Sequence, residues 1–244
     1  MIDIIESRYI TSAVNKNSYP DLLFPEFAFV GKSNVGKSSM INTLTNRKLL
    51  AKIANKPGKT RMINFFAIKY RLPHLSASCV LPEVGNTFNF FTLVDLPGYG
   101  FAKVSISERA SWQKMINDFF LFRKQLRGVI LLVDIRHDAD MKDLVMIRLL
   151  QELQINFMII ATKSDKVPST KIKSFLNNLE RGFGLNMKSK ENDTLIHSTS
   201  NKFVSFEKKV ILSAFSSLKK TGQKEILEWI EMRLREERDY LQSQ

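Results

Sequence analysis

The sequence has little of what secreted and membrane-spanning proteins need. Its one cysteine, Cys79, cannot form an internal disulfide and has no metal-ligand spacing around it, so we expect a thiol in a reducing compartment. No apolar run approaches the roughly 18 to 20 residues that a membrane-spanning helix requires. The first 17 residues carry acids at Asp3 and Glu6 and do not resemble a signal or transit peptide. We therefore expect a cytoplasmic protein without a membrane partner.

Acidic residues are also scarce, and their scarcity is uneven along the chain. The 244 residues carry 37 Lys and Arg against 24 Asp and Glu, a formal net charge of +13. Residues 1–71 and residues 166–224 each contain 12 basic and 4 acidic side chains, whereas residues 72–165 are balanced. Two basic blocks favour a polyanionic partner, because bound phosphates release counterions. We expect a nucleic acid or a ribonucleoprotein, although a solvated surface could hold many of these lysines.

A glycine-containing segment early in the chain is typical of a phosphate-binding loop. Phe27 to Val30 predicts a buried strand, GKSNVGKS at 31–38 follows it, and the apolar pattern after it predicts a helix. The two glycines let successive backbone N–H groups point at phosphate oxygens. Lys37 would supply a positive charge to the β and γ phosphates, and the Ser38 hydroxyl would bind Mg²⁺. An ordinary glycine-bearing turn is the alternative.

Two further segments lie where a nucleotide switch senses the γ phosphate. The basic loop before the predicted strand Ile63 to Arg71 contains Thr60, which could complete the Mg²⁺ shell or be an ordinary loop threonine. The second segment, DLPG at 95–98, follows a buried strand. There Asp95 would bind the Mg²⁺ water shell, and the Gly98 N–H would contact the γ phosphate. Hydrolysis would then free both loops.

The tetrapeptide TKSD at 162–165 follows a predicted buried strand and indicates guanine recognition. The Asp165 carboxylate can accept from the N1 and N2 donors of guanine, a pair that adenine does not present, while the Lys163 stem lies along the ring. Leaving that carboxylate unpaired beside adenine would be costly, so GTP should be strongly preferred. A helix-capping Ser-Asp pair is the alternative reading.

These elements, with the residues around them, resemble a known family. The segments GKSNVGKSS, PGKTRMINFF, LVDLPGYGFAKV, LLVDIRH, TKSDK and FSSLKKTG are similar to those of the EngB (YsxC, YihA) family of bacterial ribosome-assembly GTPases. The resemblance covers nearly all of residues 27–234, and VDLPGYGFA with SSLKKTG is its specific part. It implies GTP and GDP binding with Mg²⁺, slow GTP hydrolysis, and a switch role in late assembly of the large (50S) ribosomal subunit that normal growth and cell division need. It also implies a large-subunit precursor, with its rRNA and ribosomal proteins, as the partner.

The resemblance assigns site residues by position. Catalytic roles fall on Lys37, Thr60 and Gly98, and Mg²⁺ binding falls on Ser38 and Thr60, with Asp95 acting through water. Nucleotide contacts fall on five segments: Gly31, Lys32, Ser33, Asn34, Val35, Gly36, Lys37 and Ser38; Gly58, Lys59, Thr60, Arg61 and Met62; Asp95, Leu96, Pro97 and Gly98; Thr162, Lys163, Ser164 and Asp165; and Phe215, Ser216 and Ser217.

Two residues bear on the rate of hydrolysis. Tyr99 occupies the position after Gly98 where many GTPases place a water-orienting glutamine, so intrinsic turnover should be slow, on the order of 10⁻⁴ s⁻¹. We hypothesise that a ribosomal partner completes the site. Asn34 indicates a second contribution, since in some related GTPases an asparagine at this position helps to hold K⁺ beside the phosphates.

The alternation of strands and helices predicts an α/β fold of the P-loop NTPase class. We expect a doubly wound, mostly parallel sheet of six strands, with helices on both faces and the nucleotide at the carboxyl ends of the strands. Residues 1–26 are predicted to be a polar lead-in with an edge strand at Tyr9 to Thr11, residues 27–241 a G domain, and residues 242–244 a tail. Residues 72–89 and about 182–208 are longer than the usual connections of the family. We expect a monomer.

Two kinds of function stay open at this point. In the first, GTP orders the loops around Thr60 and Gly98 and raises the affinity for a ribosomal precursor. In the second, the domain is an rRNA-binding platform in which the nucleotide is only structural. The three candidate γ-phosphate sensors, Thr60, Asp95 and Gly98, favour the switch. An ATPase is disfavoured by Asp165.

Overall fold

The computed structural model describes residues 1–51, 62–72, 89–100, 105–185 and 210–242. Seven strands lie in these ranges: β1 (Asp3–Ala13), β2 (Glu26–Gly31), β3 (Ile63–Arg71), β4 (Asn89–Asp95), β5 (Leu126–Asp134), β6 (Phe157–Thr162) and β7 (Ile211–Ala214). They form one sheet in the order β1-β3-β4-β2-β5-β6-β7. Five helices accompany them: α1 (Lys37–Leu44), α2 (Ile106–Phe122), α3 (Met141–Glu152), α4 (Ile172–Gly182) and α5 (Gln223–Gln242).

Helices cover both faces of the sheet, and the strand sequences show why. Successive side chains of a strand point to opposite faces, so a strand buried on both sides is apolar throughout. In β2, Phe27 and Phe29 pack with apolar residues of α1 and α5, whereas Ala28 and Val30 pack with those of α2, α3 and α4. All four residues are fully buried. No helix in the described ranges is both long and apolar enough to span a membrane.

The order of the strands brings the predicted motifs to one edge of the sheet. β2 lies between β4 and β5 and is parallel to both, and β5, β6 and β7 continue the parallel arrangement. The carboxyl ends of these five strands therefore meet. From them emerge the phosphate-binding loop, the DLPG segment, and the chain segments that follow Asp134, Thr162 and Ala214. This is the crevice in which open α/β sheets bind their ligands.

The predicted fold class is confirmed, but the count of six strands is wrong. The six did not include the edge strand predicted at Tyr9 to Thr11, which the structure shows as β1, an 11-residue strand of the same sheet. It pairs antiparallel with β3 from Asp3 to Ala13, with two register irregularities. Its polar residues are typical of an edge strand with one exposed side, and this pattern is weak in the sequence. The division into lead-in, G domain and tail stays a prediction, and most of the two long connections lies outside the described residues.

One close contact fixes α5 on the sheet. Gly128 in β5 lies directly under the ring of Trp229 in α5, and a Cβ atom added at Gly128 would overlap that ring. Trp229 also contacts Phe27 of β2 edge-to-face, with 6.0 Å between ring centroids. The glycine therefore allows the indole to reach the sheet, and α5 packs at the distance that the indole sets.

We expect Gly128→Ala to lower the free energy of unfolding by about 1–3 kcal/mol, because the added methyl group must displace the Trp229 ring. Urea unfolding would measure the loss. In a Trp229→Phe background the smaller ring leaves room, so the same substitution should cost less there. An equal cost in both backgrounds would contradict this packing.

Candidate functional site

The loop between β2 and α1 curves tightly over the carboxyl edge of the sheet. A side chain at Gly31 would have its Cβ 2.6 Å from the Leu132 carbonyl oxygen, so only glycine allows this approach to β5. Gly36 has φ 111° and precedes the first residue of α1, a conformation that favours glycine. Asn34 is exposed and has φ 61°. The loop thus presents its backbone together with the positive end of α1, the arrangement that binds phosphate.

Lys37 is the half-buried cation of this loop. Its Nζ donates to the carbonyl oxygen of Gly31 at 3.3 Å, which folds the side chain back over the loop. Burial lowers the pKa of Lys37, and the negative charge of Asp95 opposes that shift. A cation held in this way has lost part of its hydration, and an anionic ligand would compensate for that loss.

Ser38 and Asp95 form an oxygen-rich pair beside Lys37. The Ser38 hydroxyl donates to Asp95 Oδ2 at 3.1 Å. Asp95 is only 4% exposed, and its Oδ1 is buried without a hydrogen-bond partner among the described residues. Burial raises the pKa of Asp95, while the charge of Lys37 and the bond from Ser38 lower it. A buried carboxylate oxygen without a partner next to a hydroxyl fits Mg²⁺, which prefers hard oxygen ligands and keeps several waters.

The DLPG segment lies against the phosphate-binding loop. The N–H of Tyr99 donates to the carbonyl of Gly31 at 3.3 Å, and the N–H of Ser33 donates to the carbonyl of Tyr99 at 3.0 Å. At Gly98 an added Cβ would lie 2.9 Å from the Ser33 backbone and 3.0 Å from Lys37 Nζ. The structure therefore places the Gly98 backbone next to the ammonium group of Lys37.

The side chains of Tyr99 and Lys32 turn away from the phosphate side and meet α3. The Tyr99 hydroxyl donates to Asp143 Oδ1 at 2.6 Å, and Lys32 Nζ pairs with Asp143 Oδ2 at 2.8 Å and with Asp140 at 3.1 Å. Burial raises the pKa of Tyr99 well above its usual value, with Asp143 adding to the shift, so the phenol stays protonated. Since its hydroxyl is bound to Asp143, Tyr99 does not take the place of a water-orienting glutamine.

The other end of the site is connected to the phosphate-binding loop through Thr162. Its buried hydroxyl donates to the carbonyl of Val35 at 2.7 Å and lies 3.0 Å from the carbonyl of Val133. The next residue, Lys163, has φ 61°, and its Nζ pairs with Asp134 Oδ2 at 3.0 Å. The end of β6 is therefore joined both to the loop that would hold the phosphates and to the end of β5.

Arg136 completes the group around Asp134. It donates to both carboxylate oxygens, from Nε at 2.9 Å and from Nη2 at 2.7 Å. Burial of Asp134 would raise its pKa, but the hydrogen bonds from Arg136 and Lys163 outweigh that effect and lower it. Asp134 thereby fixes the end of the Lys163 side chain.

Asp165 is oriented by the turn that follows β7. The Ser216 hydroxyl donates to Asp165 Oδ1 at 2.7 Å, and this bond lowers the pKa of Asp165, as does the nearby Lys166. The Ser216 and Thr221 backbones exchange hydrogen bonds at 3.1 and 3.2 Å and close the turn. Ser216 is fully buried. The carboxylate is thus ionised and fixed, as the acceptor of two neighbouring N–H donors must be.

The remaining predicted residues fall into three groups. Leu96 and Phe215 are buried and act through their backbones: the Leu96 N–H donates to Phe29 at 3.1 Å, and the Phe215 carbonyl accepts from Ser164 at 3.1 Å. Ser217 is half-buried and Met62 is exposed. The predictions for Gly58, Lys59, Thr60 and Arg61 lie outside the described residues.

Sequence reasoning gave no role to several residues that the structure places around the site. Asp134 could have been found, because it is a carboxylate at the carboxyl end of a buried strand, as Asp95 is. Asp143 and Trp112 had no signal, because both lie within helices. The Trp112 Nε1 donates to the carbonyl of Pro97 at 3.1 Å, and its ring lies edge-to-face against Tyr99 at 6.0 Å.

Comparison with known proteins identifies relatives over most of the chain. The family described as 50S ribosome-binding GTPase matches residues 26–163. A probable GTP-binding protein EngB from Clostridium kluyveri is 39% identical over 230 residues, covering 94% of this chain and 96% of that protein. Its counterpart from a Geobacillus species is 43% identical over 175 residues, covering 72% of this chain and 81% of that protein.

Solved structures support the same fold. The crystal structure of a probable GTP-binding protein engB superposes with a TM-score of 0.54 at 20% identity, covering 86% of this chain and 99% of that one. The structure of Era in complex with MgGDPNP and a segment of 16S ribosomal RNA gives a TM-score of 0.58 at 18% identity, covering 85% of this chain and 55% of that one.

We expect Asp134→Asn to lower the free energy of unfolding by about 1 kcal/mol at pH 7, because Arg136 and Lys163 lose a charged acceptor and Arg136 is partly exposed. The folded-state pKa of Asp134 is depressed, so its contribution is present above the unfolded pKa of about 3.9 and is lost as the pH falls below it.

The difference in stability between wild type and Asp134→Asn should therefore be constant from about pH 5 to pH 8 and shrink below about pH 4. Urea unfolding across this range would measure it, with the exposed Asp138→Asn as the control that changes nothing. A difference that persists undiminished at pH 2.5 to 3 would argue against an ionised Asp134.

Proposed function

Because this chain belongs to the EngB family of GTP-binding proteins, we propose that it is a slow GTPase that acts as a nucleotide switch in late assembly of the large (50S) ribosomal subunit. In this role it would bind GTP and GDP with Mg²⁺ and would support normal growth and cell division. The observation that carries the switch is the position of Gly98, whose backbone lies against Ser33 and Lys37 of the phosphate-binding loop.

The phosphate end of the proposed site uses backbone and charge. Residues 31–38 would surround the phosphates with N–H groups, and Lys37, already desolvated, would neutralise charge on the β and γ phosphates. Ser38 and Asp95 would hold Mg²⁺, Asp95 through water, and the ion would screen charge on the phosphate oxygens. Thr60 stays the predicted third contributor to this ion.

The base end would select guanine. One Asp165 oxygen accepts from Ser216, and the carboxylate keeps further lone pairs for the N1 and N2 donors of guanine. Lys163, paired with Asp134, would lie along one face of the ring. The Phe215 to Ser217 segment would contact the edge of the base. Adenine does not present this pair of donors, so the lone pairs meant for guanine would stay unpaired, a larger penalty than a missing apolar contact.

The proposed rate is low because no side chain in the described residues next to Gly98 replaces a water-orienting glutamine. The Tyr99 hydroxyl is bound to Asp143. We propose that a ribosomal partner supplies the missing group, and K⁺ beside the exposed Asn34 stays a further prediction. A monomer in the bacterial cytoplasm is consistent with this proposal and stays part of it.

The alternative function, an rRNA-binding platform with a structural nucleotide, would use the same two basic segments of the sequence but does not need γ-phosphate sensors. The pairing of Asp95 with Ser38, and the place of Gly98 beside Lys37, favour the switch. Both proposals predict GTP binding and differ in whether the γ phosphate changes the affinity for the partner.

We expect Asp165→Asn to weaken GTP binding by about 100-fold or more and to strengthen binding of xanthosine triphosphate, whose base presents an acceptor where guanine presents a donor. Calorimetry with both nucleotides would measure the exchange of preference. The exposed Asp138→Asn should leave both affinities unchanged. If GTP binding by Asp165→Asn matched that of wild type, another group would have to read the base.

We also expect binding to large ribosomal subunits to depend on the nucleotide. Cosedimentation with GDPNP should retain at least about tenfold more protein than with GDP, because a switch must bind its partner more tightly in one nucleotide state than in the other. Asp165→Asn should lose this response to GDPNP and regain it with the xanthosine analogue. Equal retention with GDP, GTP and GDPNP would favour the platform instead.

A further inference from the structure

Asp143 is a buried carboxylate that the proposed chemistry does not use. It lies on α3 and is 3% exposed. One of its oxygens accepts a hydrogen bond from Tyr99 at 2.6 Å, and the other pairs with Lys32 at 2.8 Å. Burying a charge is unfavourable unless its partners compensate for the lost hydration. Here the partners are one residue beside Gly98 and one residue of the loop that would hold the phosphates.

Trp112 makes a matching contact from α2. Its Nε1 donates to the carbonyl of Pro97 at 3.1 Å, and its ring packs edge-to-face on Tyr99 at 6.0 Å. Pro97 and Tyr99 are the two neighbours of Gly98 in the chain. The Tyr99 backbone is held as well, through its hydrogen bonds with Gly31 and Ser33. Gly98 is thus fixed on one side by α2 and on the other side by α3 and the phosphate-binding loop.

The position of Gly98 leaves little tolerance. Its backbone lies so close to Ser33 that an added Cβ would be 2.9 Å from the Ser33 nitrogen, and the same Cβ would be 3.0 Å from Lys37 Nζ. A backbone N–H that must meet one phosphate oxygen works over a range of a few tenths of an ångström. Displacement of a binding group by about 1 Å can cost two orders of magnitude in rate.

We infer that Asp143, acting through Tyr99, and Trp112, acting through Pro97, are positioning residues that hold the Gly98 N–H for the γ phosphate and so determine how well the protein distinguishes GTP from GDP. This inference rests on the proposed function, in which Gly98 contacts the γ phosphate. The two contacts belong to different helices, so each can be removed while the other remains.

The test compares GDPNP with GDP in conservative variants. Tyr99→Phe removes only the hydroxyl that binds Asp143, and Trp112→Phe keeps an aromatic ring while removing the Nε1 donor. Each should weaken GDPNP binding by about tenfold and GDP binding by less than about twofold, since hydrogen bonds that fix a contact to one phosphate act on that phosphate alone. Calorimetry gives both affinities, and single-turnover hydrolysis should slow in parallel.

A double-variant cycle and a control sharpen the result. Asp143→Leu removes the acceptor of the Tyr99 hydroxyl while Lys32 keeps Asp140 as a partner. Adding Tyr99→Phe to it should weaken GDPNP binding no further than Asp143→Leu alone, because the hydroxyl has already lost its acceptor. Trp229 is a buried residue on the face of the sheet that α1 and α5 cover, away from α2 and α3. As a control, Trp229→Phe should leave the ratio of GDPNP to GDP affinity unchanged.

Two outcomes would overturn the inference. One is unchanged affinity for both GDPNP and GDP in Tyr99→Phe and in Trp112→Phe, and the other is an equal loss of affinity for both nucleotides, which a merely structural role would produce. If wild type itself bound neither GDPNP nor GDP, the proposed function would fail as well. If wild type bound GDPNP normally and the variants had the same ratio of GDPNP to GDP affinity as wild type, only this inference would be contradicted.

Discussion

Two backbone hydrogen bonds, from Tyr99 to Gly31 and from Ser33 to Tyr99, determine the geometry of the candidate site. They join the end of β4 to the end of β2 beyond the last regular pairing of these strands, so the phosphate-binding loop and the DLPG segment hold a common position. Contacts between side chains would hold the two segments together less tightly, because each side chain would lose rotamer freedom. The contact requires glycine at 98, where a Cβ would lie 2.9 Å from the Ser33 backbone, and the approach of the loop to β5 requires glycine at 31, where a Cβ would lie 2.6 Å from the Leu132 carbonyl oxygen.

The same constraint gathers charge in a buried place. Lys37 and Asp95 are both desolvated, which lowers the pKa of the lysine and raises the pKa of the carboxyl group. Their attraction offsets part of that cost, and Asp95 Oδ1 is buried without a hydrogen-bond partner in the described part of the chain. A site of this kind gains more from a phosphate and a magnesium ion than a hydrated surface would, because the desolvation has already taken place. The desolvation of these two charges therefore lowers the stability of the fold but would strengthen the binding of such a ligand.

At the base end, charge is arranged in the opposite way. Both Asp134 and Asp165 have lowered pKa values. Hydrogen bonds from Arg136 and Lys163 outweigh the effect of burial on the pKa of Asp134, and the hydrogen bond from Ser216 lowers the pKa of Asp165. These carboxylates stay ionised without a ligand, and their positions are set in advance. In the proposed binding mode, the phosphate end would respond to the ligand, whereas the base end would select it.

Local chemistry determined what the sequence could reveal. Apolar runs predicted β2, β3, the strands that precede DLPG and TKSD, and the helix after the phosphate-binding loop. Glycine, lysine, hydroxyl and carboxylate residues in motif order predicted Lys37, Ser38, Asp95 and Asp165 as chemical groups of the site. Such motifs are legible because the ligand dictates residue type and spacing over a few consecutive positions. The edge strand β1 was seen only in part, since one of its sides is solvated and its residues are mixed.

Only the tertiary structure decided which side chains meet. Lys32 lies within the phosphate-binding motif, yet it pairs with Asp140 and Asp143, and Tyr99 binds Asp143 instead of facing the site. Asp134 supports Lys163, and Ser216 supports Asp165, across separations of 29 and 51 residues. A sequence read locally carries no information on such pairs, because contact between distant residues depends on strand order and helix packing, which arise only when the whole sheet assembles.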